Sequence, residues 1–70
     1  MTNSTIRILQ QNIKKYRKLK GFSQVKLAIA AEVSKDYITA IECGKRAPSM
    51  KRFVQIAEAL KVEPYKFFVA

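Results

Sequence analysis

Ile6, Leu9, Ile13 and Tyr16 follow one another at steps of three and four residues, the spacing that places side chains on one face of an α-helix. The run stops at Lys20-Gly21, where glycine accepts the left-handed conformation that closes a helix. Arg17, Lys18 and Lys20 suit the negative end of that helix. The same periodicity then restarts three times, each time behind a serine. Ser23 is placed to cap a helix over about residues 24–31, with Leu27, Ala28 and Ala31 inward; Lys26 stands where a capping box would need Glu. Ser34 caps a third helix carrying Tyr37, Ile38 and Ile41, with Asp36 in its positive first turn and an end before Gly44. After the loop Lys45-Arg46-Ala47-Pro48, Ser49 opens a fourth, with Met50, Phe53, Ile56, Ala57 and Leu60 on one face. Glu63-Pro64 starts a short fifth, since proline is tolerated in a first turn. Period-two alternation of strand length is absent. The expectation is an all-α, compact five-helix single domain over residues 1–70.

The 70 residues allow only one small core, and a domain of this size buries about 60% of the surface its unfolded chain exposes. Hydrophobic residues make up 49% of the chain, too many for a disordered basic tail. With no histidine and one cysteine, neither a disulfide framework nor an ordinary zinc site is expected. The carboxylates Glu32, Asp36, Glu42, Glu58 and Glu63 are scattered, which speaks against a two-metal nuclease and against an enzyme generally. No cofactor and no small-molecule ligand is expected. No apolar run reaches the ~18 residues of a membrane span, and Met-Thr-Asn-Ser-Thr lacks the basic and apolar stretches of a leader. The lone Cys43 fits a reducing cytoplasm and reads as a small apolar filler.

The formal net charge is +9, and all of it falls in residues 1–52. Residues 53–70 set Lys61 and Lys66 against Glu58 and Glu63, and are otherwise rich in apolar and aromatic side chains. A basic part therefore meets an anion, nucleic acid before an acidic membrane surface. The neutral end reads as part core and part self-association surface.

Between Gln24 and Cys43 lie two short helices joined by a tight turn, with small Ala28 in the first and apolar Val33, Ile38 and Ile41 beyond it. Two helices crossing at a wide angle need a small residue at the crossing and apolar faces on both. The outer face of the second helix is then free to enter a DNA major groove. The string Gly21-Phe22-Ser23-Gln24…Leu27-Ala28…Val33-Ser34…Tyr37-Ile38…Ile41-Glu42…Gly44-Lys45-Arg46…Pro48-Ser49 resembles the lambda-repressor/Cro-like (XRE) helix-turn-helix family. The resemblance covers about Leu9 to Phe68. It implies a helix-turn-helix over about residues 24–43, with residues 34–43 as recognition helix and 24–31 as its support. One position departs: Glu32 stands where this family usually has Gly, so either a left-handed glutamate or a re-formed turn is expected.

Within this frame Lys35, Asp36, Thr39 and Ala40 are the candidates for reading bases. Lys donates to guanine, Asp accepts from cytosine, and a Thr methyl or Ala touches the thymine methyl. The alternatives are a phosphate contact for Lys35 and dipole stabilisation for Asp36. Gln24, Ser34, Tyr37, Lys45 and Arg46 are candidates for phosphate contact; Gln24 is otherwise solvent-exposed and Tyr37 otherwise pure packing. Lys14, Lys15, Lys18 and Lys20 read as a solvated face adding long-range attraction. The resemblance also implies an ion pair between Arg17 and Glu42, either buried and bidentate or a surface pair of little worth. Leu60, Val62, Tyr65, Phe67 and Phe68 are the candidates for a dimer interface.

One recognition helix reads too few bases for a genome, so a homodimer on a palindromic double-stranded DNA operator is expected. A stand-alone autoregulator is implied, of the controller-protein or phage-repressor kind. The alternatives are an antitoxin-like interaction module that also binds DNA, or a nonspecific binder of RNA or anionic surfaces.

Overall fold

The computed structural model describes residues 3–70. Met1 and Thr2, which belong to the stretch read as lacking a leader and to the 1–70 domain, lie outside the described residues. Four α-helices follow in order: α1 (Asn3–Leu19), α2 (Gln24–Ala31), α3 (Lys35–Glu42) and α4 (Met50–Leu60). A 3-10 turn, Pro64–Phe68, follows α4. The described residues contain no strand, and their extents are 29 × 22 × 20 Å.

All three serines cap as their positions dictate. Ser23 Oγ accepts from the Lys26 N–H at 3.0 Å, Ser34 from Tyr37 at 3.1 Å and Ser49 from Arg52 at 3.2 Å. Each satisfies a donor the first helical turn leaves free and contributes about 1 kcal/mol. The helix ends also share one device. A left-handed residue follows each helix: Gly21, Glu32, Gly44 and Lys61. The next residue's N–H then reaches back five positions, from Phe22 to Arg17, Val33 to Ala28, Lys45 to Ala40 and Val62 to Ala57. Glu32 adopts φ 60°, ψ 42°, so the turn keeps its geometry and the glutamate carries the strain.

Leu9 and Ile13 of α1, Leu27, Ala28 and Ala31 of α2, Ile38 and Ile41 of α3, and Phe53, Ile56, Ala57 and Leu60 of α4 form the core with Phe67. The alanines let α2 approach its neighbours closely. Phe67 stands edge-on to Tyr16 at 5.2 Å and to Phe53 at 5.3 Å, and Phe68 packs edge-on to Phe53 at 5.4 Å.

The fifth helix is a single 3-10 turn of five residues. Lys61 reverses the chain, and the side-chain amide of buried Asn12, distant in sequence on α1, donates to the carbonyls of Phe67 and Val69, both at 2.8 Å. Those carbonyls are thus satisfied from α1, and the short turn drops Phe67 into the core. Leu60 (1% exposed) and Phe67 (0%) are therefore interior side chains with no surface to offer a partner. Met50, expected inside, is 67% exposed, and Cys43 is exposed rather than a filler.

Candidate nucleic-acid interface

Helix α3 buries Ile38 and Ile41 and turns Lys35, Asp36, Thr39 and Ala40 outward at one- and four-residue steps. Lys35 and Asp36 are exposed, while Thr39 and Ala40 are half-buried. What fixes α3 to the body is a polar network beneath it. Arg17 Nε donates to Glu42 Oε2 at 2.7 Å and Nη2 to Oε1 at 3.0 Å, a two-point fork. The two side chains are only 10% and 3% exposed. The remaining Arg17 nitrogen, Nη1, donates to the Phe22 carbonyl at 2.8 Å, so the guanidinium ties α1 to the α1–α2 turn as well as to α3.

Gln24 joins the same network. Its amide donates to Glu42 Oε1 at 3.0 Å and accepts from the Thr39 hydroxyl at 3.0 Å. Both polar ends of Gln24 are thus engaged between α2 and α3, where the sequence pointed to a phosphate or to solvent. Thr39 likewise spends its hydroxyl proton inward, which leaves its methyl for an apolar contact.

Beyond α3 a cleft of about 470 Å3 is lined by Glu32, Val33, Ser34, Tyr37, Arg46, Ser49 and Arg52. The N-terminal turns of α3 and α4 both open beside it, each adding partial positive charge. The Tyr37 ring is its centrepiece, with the Arg46 guanidinium 4.5 Å and that of Arg52 6.0 Å from the ring centroid. The Tyr37 hydroxyl accepts from the Ser49 N–H at 3.1 Å, so its own proton is still free to be donated. Ser34 lines the cleft, but its Oγ accepts from the Tyr37 N–H as a cap. Lys45 is exposed beside Arg46. The loop that carries both is pinned from α1, because buried Gln10 donates to the Arg46 carbonyl at 2.9 Å.

Gln10, Asn12 and Arg52 went unread in the sequence. Gln10 had a signal: it lies seven residues before Arg17, two turns along the same inward face of α1, where a polar residue needs a buried partner. Arg52 had none, since its place over the Tyr37 ring depends on the angle between α3 and α4.

The Helix-turn-helix family profile matches residues 13–67. The chain belongs to the XRE-type helix-turn-helix family. Over 61 residues it is 38% identical to the uncharacterized HTH-type transcriptional regulator YqaF of Bacillus subtilis (strain 168), covering 87% of this chain and 80% of that one. Its fold is similar to the restriction-modification controller protein C.AhdI from Aeromonas hydrophila, with a TM-score of 0.86 and 29% identity over 93% of this chain and 98% of that one. It is also similar to the hypothetical transcription factor NHTF from Neisseria, with a TM-score of 0.86 and 26% identity over 97% and 78%. Chains of this family are DNA-binding, regulator-like proteins, and no helix among the described residues is long and apolar enough to cross a membrane.

Proposed function

We propose that the chain is a cytoplasmic, sequence-specific double-stranded DNA-binding regulator of the controller type. It acts as a homodimer on a palindromic operator and controls its own expression. The observation that carries this reading is the pairing of an outward α3 face with the basic cleft beside it. Lys35, Asp36, Thr39 and Ala40 stand on a helix held by the Arg17–Glu42–Gln24 network. Arg46, Arg52 and two helix N-termini meet at the cleft beside that helix, a combination suited to a backbone phosphate. The net +9 of the chain supplies the long-range attraction.

The roles divide accordingly. Lys35, Asp36, the Thr39 methyl and Ala40 read bases; Lys45, Arg46, Arg52 and the Tyr37 hydroxyl hold phosphates; Gln24 and Ser34 organise the helices that present them. The dimer face passes to exposed apolar side chains, Met50 and Val54 on one stripe of α4 with Tyr65 and Val69 at the C-terminal end, beside half-buried Phe68. Of the residues first assigned there, Val62, Tyr65 and Phe68 remain accessible. The likeness to a restriction-modification controller protein supports the controller reading.

Two substitutions test the division. Lys35→Ala is expected to cost about 1–3 kcal/mol at one base pair of a preferred duplex and to relax preference there. Arg46→Ala is expected to weaken every duplex alike and to lower the salt slope by about one. If Lys35→Ala weakened all sequences equally, α3 would not be reading bases.

A further inference from the structure

Glu32 is the one acid lining a cleft whose other charged side chains are Arg46 and Arg52. It holds φ 60° as a non-glycine residue, a conformation that glycine adopts without the Cβ penalty. Its side chain makes no ion pair among the described residues, although two arginines line the same cleft. Nor does its charge serve the helix it ends, since an anion is unfavourable at a helix C-terminus. Lys61, the other strained closing residue, is different: a cation at the end of α4 meets the dipole favourably. Glu32 also borders a second, smaller cleft with Ala30, Ala31, Gln55, Glu58 and Ala59. Glu58, the other acid of that smaller cleft, offers the Glu32 carboxylate no counter-charge there. Glu42 is spent on Arg17, and Asp36 lies on the outer face of α3 rather than in the cleft.

We propose that Glu32 is an affinity-limiting residue, whose carboxylate competes with a DNA phosphate for the field of Arg46, Arg52 and the first turns of α3 and α4. This rests on the phosphate reading of the cleft given above. Phosphates are the same on every sequence, so Glu32 sets the protein concentration at which DNA fills and leaves discrimination between sequences unchanged. An autoregulator built this way switches at a higher concentration of itself than its basic cleft would otherwise give.

The test compares the full chain with Glu32→Gln, which removes the charge and keeps the shape, and with Glu32→Gly, which removes both charge and strain. Binding is measured on a duplex selected from a random pool and on a duplex of arbitrary sequence, from about 50 to 200 mM salt. Both variants should bind both duplexes about three- to tenfold more tightly at low salt, with the gain shrinking as salt screens it. The ratio between the duplexes should not change. Glu32→Gly should also melt at a higher temperature, while Glu32→Gln should not. Arg46→Ala is run alongside. If it weakens binding while both Glu32 variants bind as the parent does, the role of Glu32 is overturned and the cleft reading stands. If Arg46→Ala is neutral, the cleft holds no phosphate and the proposal falls with it.

Discussion

Glu42 accepts three hydrogen bonds, two from Arg17 and one from Gln24, and through them the pose of α3 depends on two other helices. Removing one member leaves a charge in a site that is nearly closed to water. Glu42→Ala or Arg17→Ala should therefore cost about 3–5 kcal/mol in denaturant unfolding, while replacing both by Leu should cost much less. A double-mutant cycle with no coupling would contradict this. Asn12→Ala, which strands two carbonyls at the C-terminal turn, should cost about 1–3 kcal/mol by the same measurement. At this scale the sequence was legible wherever chemistry is local. Serine caps act on donors two or three residues away, so Ser23, Ser34 and Ser49 could be placed from spacing alone. Met50 shares the stripe of Phe53, yet it opens α4 at a point where no neighbouring element covers it. The partners of Gln24, Glu42 and Thr39, likewise come from another helix and leave no trace in the local sequence.

The four helices were readable as elements because each is amphipathic, capped in front and closed behind. Their closing turns are equivalent in hydrogen bonding but not in residue, with Gly21 and Gly44 free of strain and Glu32 and Lys61 bearing it. Lys61→Gly should raise stability by up to about 1 kcal/mol, less what is lost from its favourable charge at the end of α4. Thermal unfolding checks this, and a clear fall in melting temperature would contradict it. The fifth element was misread as a helix because Pro64 and the aromatic spacing fit one. What decides its form is Asn12, fifty-five residues before Phe67, and such a distant partner leaves no local trace. Phe67 is the anchor that results. Phe67→Ala should cost about 3–5 kcal/mol, since it empties a site bounded by Tyr16 and Phe53.

On the scale of the whole molecule, the basic cleft of Arg46 and Arg52 lies beside α3. Exposed apolar side chains stand on α4 and the C-terminal end (Met50, Val54, Tyr65, Val69) and also on α1 and α2 (Leu19, Val25, Ile29). In the proposed homodimer, a self-complementary pairing of the α4 and C-terminal faces would set two copies of α3 about 34 Å apart, one turn of DNA. Val54→Lys should then shift sedimentation toward monomer and weaken operator binding without lowering helicity; an unchanged dimer would move the interface elsewhere. The central claim, that α3 reads a sequence, is tested most directly by selecting bound duplexes from a random pool. Sequence reading by α3 predicts enrichment of an inverted repeat with half-site centres about one helical turn apart, bound far more tightly than arbitrary DNA at about 200 mM salt. Equal affinity for selected and arbitrary duplexes at every salt concentration would contradict it.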